Sequence, residues 1–167
     1  MPNDWLPPLE RFSGDWGSYC DYIYDIFHSH FIASKPIYCG QEVKTRFYPM
    51  SDGKTETFWH LTSTGENNND RIPDIRRCER IRWPKCFIEN PDKVKVWRNK
   101  RKNNTNICLW LDDCSESYLV VLGERKDYYL LLTAYCVEKD LITWTILLSV
   151  YGIKEWKNNL LHTGNYR

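Results

Sequence analysis

Apolar residues at Tyr19, Tyr22, Ile23, Ile26, Phe27 and Phe31 fall mostly three or four positions apart. That spacing lines them along one stripe of a helix. Ser13 or Asp15 can cap its start, and the pattern runs to about Ser34 before Pro36 interrupts it. Residues 42–49 alternate instead, through Val43, Thr45 and Phe47, which suits a strand. Asp52-Gly53 marks a turn. Residues 54–61 read as a short helix or a strand, since their β-branched and aromatic residues lower the helix propensity, and the choice decides where His60 points. Residues 63–72, STGENNNDRI, read as a polar loop. Asp74 then caps a helix over about 74–82, with Ile75, Cys78 and Ile81 on one stripe, and Trp83-Pro84 is expected to end it.

The second half changes period. Runs 93–101 and 105–111 flank Asn103-Asn104, and runs 118–122 and 128–134 flank a turn at Arg125-Lys126-Asp127. These predict four consecutive strands in an antiparallel meander. A last helix is expected from about Glu138 to Asn158. Helices, then strands, then a helix describe an α+β fold rather than α/β.

Composition adds bounds. The chain has 167 residues, which suits a single domain, with an N-terminal helical extension over 1–40, a core over 41–138 and a C-terminal helix over 139–167. Aromatic residues make up 15%, which argues against disorder. No apolar run is long enough to span a membrane. The start, MPNDWLPPLERF, lacks the basic and apolar parts of a signal peptide, so a cytoplasmic protein is expected. Its seven cysteines form no Cys-x-x-Cys pair, and with the four histidines they match no usual zinc spacing. Reduced thiols and no metal or cofactor are expected.

Charge is segregated. From Arg71 to Lys102 there are twelve Lys and Arg against four acids, a local +8 in a chain of net +1, so the remainder carries −7. Such a block is a plausible footprint for a polyanion, and equally a solvated, salt-bridged face.

The chemistry-bearing candidates sit in or near that block. There is no P-loop, G-x-G-x-x-G or G-x-S-x-G. Asp112-Asp113 point to opposite sides of a strand and make a poor two-metal site. His60 stands in Phe58-Trp59-His60-Leu61, where neighbouring aromatics can shield an imidazole that titrates near neutral pH. In Arg76-Arg77-Cys78-Glu79-Arg80-Ile81-Arg82, residues 76 and 80 share a helix face, and the planar guanidinium suits phosphate oxygens. The alternative is that Asp74 and Glu79 pair with these arginines. Trp97-Arg98-Asn99-Lys100 offers a base-stacking ring and alternating cations, unless Trp97 is core. Thr133 and Tyr135 place two hydroxyls on one side of a strand.

A helical N-terminal part with a histidine, a basic element and a meander ending in LLTAY resembles the BECR superfamily, the barnase–EndoU–colicin–RelE-like nucleases of bacterial and phage toxins. The strings FWHLTS, RRCERIRWP, VWRNKR, ICLWL, YLVVL and LLTAYCVE carry the resemblance over roughly 41–138. It implies a metal-independent endoribonuclease toxin that cleaves cellular RNA, tRNA or mRNA among the choices, through attack of a 2′-hydroxyl on the adjacent phosphate. In that reading His60 is the general base or acid, and Arg77, Arg80 and Lys100 hold the scissile phosphate. Thr133 and Tyr135 position it or relay a proton, while Arg76, Arg82, Trp97 and Arg98 bind the RNA strand. Barnase-like members use a glutamate base, and the sequence singles out none. An antitoxin or immunity protein is the implied protein partner. The alternative is a non-catalytic module of phage or bacterial origin that binds nucleic acid or a partner.

Overall fold

The computed structural model describes residues 3–65, 70–113 and 115–137. The helix expected over 138–158, and with it the 139–167 segment, lies outside the described residues.

Helix α1, Trp16–His28, begins where the Asp15 carboxylate accepts a hydrogen bond from the Ser18 backbone N–H at 3.0 Å. Tyr19, Ile23, Ile26 and Phe27 are buried along its stripe, and a π-helical turn, Ser29–Ala33, carries the chain on to buried Phe31. Tyr22 departs from the expected stripe: it faces outward and donates its hydroxyl hydrogen bond to Glu10 at 2.6 Å. Strands β1, Ile37–Tyr38, and β2, Gln41–Lys44, form a small hairpin. Helix α2, Glu56–Thr62, follows. Its Phe58 and Leu61 are buried in the same core, and that burial outweighs the weak propensity of its β-branched residues.

The two ends of the polar stretch after α2 are paired. Strand β3, Ser63–Thr64, pairs antiparallel with β4, Ile72–Pro73, in a two-residue ribbon. Asp74 caps α3, Ile75–Cys78, by accepting from the Arg77 N–H at 3.2 Å. This helix is shorter than expected, and Trp83-Pro84 opens a helix instead of ending one: α4 spans Trp83–Glu89. Proline is tolerated in a first helical turn because its missing N–H has no intrahelical partner there.

The remaining strands are β5, Lys95–Arg101; β6, Asn104–Asp112; β7, Ser117–Glu124; and β8, Tyr129–Cys136. Each pairs antiparallel with the next. The sheet is nevertheless larger than a four-stranded meander. β2 joins the far side of β8 in parallel, through Val43–Tyr129 and Lys44–Leu130, giving the order β1-β2-β8-β7-β6-β5. The molecule is thus α+β with a mixed six-stranded sheet.

Alternation along β6 and β7 splits the sheet into two faces. Ile107, Leu109, Leu111, Tyr118, Val120 and Leu122 meet the helices in one core. Cys108, Trp110, Leu119 and Val121 form a second cluster on the other face. In β8 the register shifts by one residue between the partners of Val121 and Leu122, so Leu132 is an extra residue. Beyond it, Thr133 opposes Val121 and Tyr135 opposes Leu119, which places both hydroxyl-bearing residues on the side of the second cluster.

Candidate functional site

The buried stripe of α2 fixes how that helix is rotated. With Phe58 and Leu61 held inward, Glu56 and His60, four residues apart, share another face. The first turn of α2 is also tied to the segment before it. Glu56 N–H donates to the Phe47 carbonyl and Thr57 N–H to the Arg46 carbonyl, both at 3.1 Å, while the Arg46 N–H donates to the Thr57 hydroxyl at 2.8 Å. The β3–β4 ribbon then returns the chain alongside α2 and delivers Arg71, the residue before β4, to His60.

The result is a compact polar cluster. His60 Nε2 lies 3.3 Å from Glu56 Oε1 and 3.2 Å from an Arg71 guanidinium nitrogen. Next to it is a small open pocket of about 100 Å³ lined by Pro49, Ser51, Asp52, Glu56, Trp59 and Arg71. Trp59 closes one side, with its indole N–H donating to the Ser51 carbonyl at 3.0 Å.

One nitrogen cannot serve both neighbours at once. Arginine only donates, so Arg71 needs the bare lone pair of Nε2; a carboxylate only accepts, so Glu56 needs an N–H there. The proton on Nε2 therefore selects the partner. A neutral imidazole with bare Nε2 turns to Arg71, and a protonated one turns to Glu56. Burial, followed by the Arg71 charge, holds the His60 pKa below the usual 6.5; Glu56 pulls the other way, and Arg46 adds to the lowering. With 38% of its side chain exposed, His60 still reaches solvent. The cluster can take up a proton and change hydrogen-bond partners as it does so.

The residues expected from the sequence distribute unevenly around this point. Arg77 lies beside His60, but it binds backbone: one guanidinium nitrogen donates to the His60 carbonyl at 3.2 Å and the Ser63 carbonyl at 3.0 Å, capping the end of α2. Its Nε stands 3.4 Å from Asp74, and the guanidinium lies 5.3 Å from the centre of the Tyr135 ring. Tyr135 thus touches the site through Arg77. Thr133 lies on the same side of β8 as Tyr135, opposite Val121 of the second cluster, and Tyr135 reaches Arg77 from there.

Arg80 is taken up elsewhere. Its side chain is 8% exposed and bonds both Glu116 oxygens at 2.9 Å and the Arg76 carbonyl at 2.9 Å, over the Trp83 ring. Arg82 pairs with Glu10, the same carboxylate that holds Tyr22. These two are structural ion pairs, and Arg76 is an exposed residue of α3 whose carbonyl serves Arg80.

On the sheet, Lys100 sits opposite Thr105 near the β5–β6 turn. The row of Tyr135 runs through Leu119 and Trp110 to Lys95, so Lys100 is three strands across and five residues along from it. At about 4.8 Å per strand and 3.3 Å per residue, that is roughly 20 Å. Arg98 pairs with Glu124 and borders a separate, wider groove that Tyr38, Cys39 and Tyr129 also line. Trp97 meets Trp110 edge to face at 6.2 Å on the second sheet face.

Sequence reasoning missed Glu56, Arg71 and Arg46. The Glu56/His60 spacing was a usable signal, since a helix over 54–61 makes the two neighbours. Arg71 was counted in the basic block but not singled out, because only the β3–β4 ribbon brings it to the imidazole. Among the described residues, no group of three or more His, Cys, Asp and Glu side chains is arranged to hold a metal ion, and no helix is long and apolar enough to cross a membrane.

No family model, no curated protein and no solved structure matches this chain.

Proposed function

We propose that the chain is a metal-independent endoribonuclease acting on cellular RNA, with its centre at His60, Glu56 and Arg71. The observation that carries this reading is the placement of His60 Nε2 between a carboxylate at 3.3 Å and a guanidinium at 3.2 Å, beside an open pocket. The resemblance to BECR-type nucleases favours the same chemistry and a toxin's role.

Neutral His60 removes the proton from the RNA 2′-hydroxyl. The 2′-oxygen forms a bond to the adjacent phosphorus, and the bond from phosphorus to the 5′-oxygen breaks. The products are a 2′,3′-cyclic phosphate and a 5′-hydroxyl end, whose oxygen takes a proton from water. As Nε2 gains its proton it loses Arg71 and gains Glu56, which stabilises the imidazolium. Arg71, 3.2 Å from Nε2 in the resting cluster and lining the pocket, meets the phosphate as its negative charge grows. Arg77 holds the end of α2, and hence His60, in place. Arg80, Arg82, Arg98 and Lys100 have no part in this step.

The test is incubation of the purified chain with RNA in the presence of a chelator, with the new ends mapped. Cyclic phosphate ends, lost on His60→Ala, are expected. Intact RNA, or cleavage that is equal in His60→Ala, overturns the reading.

A further inference from the structure

The run leading into the pocket has a distinct character. β2 ends at exposed Lys44, and Arg46 is again exposed two residues on, with Val43 buried and Thr45 half-buried between and before them. Phe47, Tyr48 and Met50 follow, all large and all exposed, Tyr48 at 78%. Pro49, between Tyr48 and Met50, lines the pocket beside Glu56 and Arg71. Backbone hydrogen bonds from α2 hold Arg46 and Phe47 in position, so the exposure of these side chains comes with a fixed base. On the other flank Ile72, directly after Arg71, is 68% exposed.

Cations at alternate positions followed by an exposed ring match the repeat of a single nucleic-acid strand, in which charged phosphates alternate with flat bases. A duplex keeps its bases stacked inside and offers an aromatic side chain nothing to lie on. A protein partner would use the apolar rim but has no need of Lys44 and Arg46.

We infer that the His60 site takes RNA as an unpaired strand, with Lys44 and Arg46 following its phosphates and a base laid on the Tyr48 ring. This rests on the nuclease reading for the nature of the ligand and goes beyond it in naming the strand state and the residue that receives the base.

The test uses a fluorescein-labelled 12-nucleotide RNA, 2′-O-methylated throughout so that it cannot be cut, alone and annealed to its complement. Anisotropy titrations compare the unmodified chain with Tyr48→Ala, Tyr48→Phe and His60→Ala, with thermal melting to verify the fold. The single strand is expected to bind roughly tenfold or more tightly than the duplex. Tyr48→Ala should weaken it by about tenfold, within the range of one base–aromatic stack, while Tyr48→Phe keeps the affinity. Equal binding of duplex and single strand, or no change in Tyr48→Ala, overturns the inference, and the apolar rim is then free for a protein partner. The two readings fail separately. Tyr48-dependent binding of the single strand without cleavage of unmodified RNA sinks the nuclease and keeps the base platform. Cleavage that ignores Tyr48→Ala does the reverse.

Discussion

Two sets of arginines, one running from Arg76 to Arg82 and one gathered around His60, use their charge in opposite ways. In the segment from Arg76 to Arg82, guanidiniums turn inward. Arg77 caps α2, Arg80 clamps Glu116 and Arg82 holds Glu10. Around His60, Arg71 and Arg46 are further apart in sequence, yet both act on one imidazole at the mouth of a pocket. The density of charge along a chain therefore says little about where charge is available. A cluster of arginines among acids finds partners during folding, and a half-buried Arg–Glu pair is a joint between elements. A cation from a separate part of the chain can instead come to line an open pocket, as Arg71 does.

The comparison breaks most sharply at His60. His60→Ala should reduce cleavage by about 10²–10⁴ while leaving the fold intact, because it removes the proton acceptor. Cleavage kinetics and thermal melting of the same preparation read both halves of that expectation. Arg80→Ala should do the opposite. Leaving Glu116 without its partner costs about 3 kcal/mol of stability, the lower end for a buried pair because Glu116 is partly exposed. For a chain of this size that lowers the melting temperature by roughly 6–12 °C. Activity at low temperature should stay near that of the unmodified chain. A stable Arg80→Ala with abolished cleavage would move Arg80 into the site and erase the distinction.

A third experiment sharpens the difference through pH. The proposed mechanism requires neutral His60, so on that reading the cleavage rate should fall as pH drops through the folded pKa, which burial and Arg71 hold below 6.5. Arg71→Met should move this acid limb to higher pH, and Glu56→Gln should move it lower. Rate profiles of the three proteins measure the two directions. Stability follows the same sign. With the folded pKa depressed, the unfolded chain binds the proton first. The His60 contribution is complete above about pH 6.5 and is lost as pH falls from there through the folded value. The smallest effect is expected at Lys100, exposed on β5 and far from the imidazole. Lys100→Ala should change cleavage less than about twofold and stability by under ~0.5 kcal/mol.

Some of this was legible in the sequence. Helix α1 was, because its buried residues recur at helical spacing behind an aspartate cap. The runs that become β5 to β8 were, because alternation and turn residues are local signals. The sheet they enter was not: Lys44 of β2 lies 86 residues before its parallel partner Leu130, and nothing in the short run from Gln41 to Lys44 announces that pairing. Trp83-Pro84 misled because a proline that stops one helix can also start another. The extra residue Leu132 escaped notice, since a bulge is set by the neighbouring strand's register. At the site, His60 stood out by its chemistry, whereas Arg71 depended on a two-residue ribbon inside a stretch that reads as plain loop.

The outermost position of β5 has a consequence for how copies of this chain behave together. Among the described residues no strand lies along its outer side, so a row of main-chain amides and carbonyls faces outward there. Such a rim is a template on which another molecule could align and propagate fibres. Lys95, Arg98 and Lys100 stand along it, exposed, and two such rims brought together would repel. Cations along such a rim oppose edge-to-edge pairing, an opposition that fades as ionic strength rises.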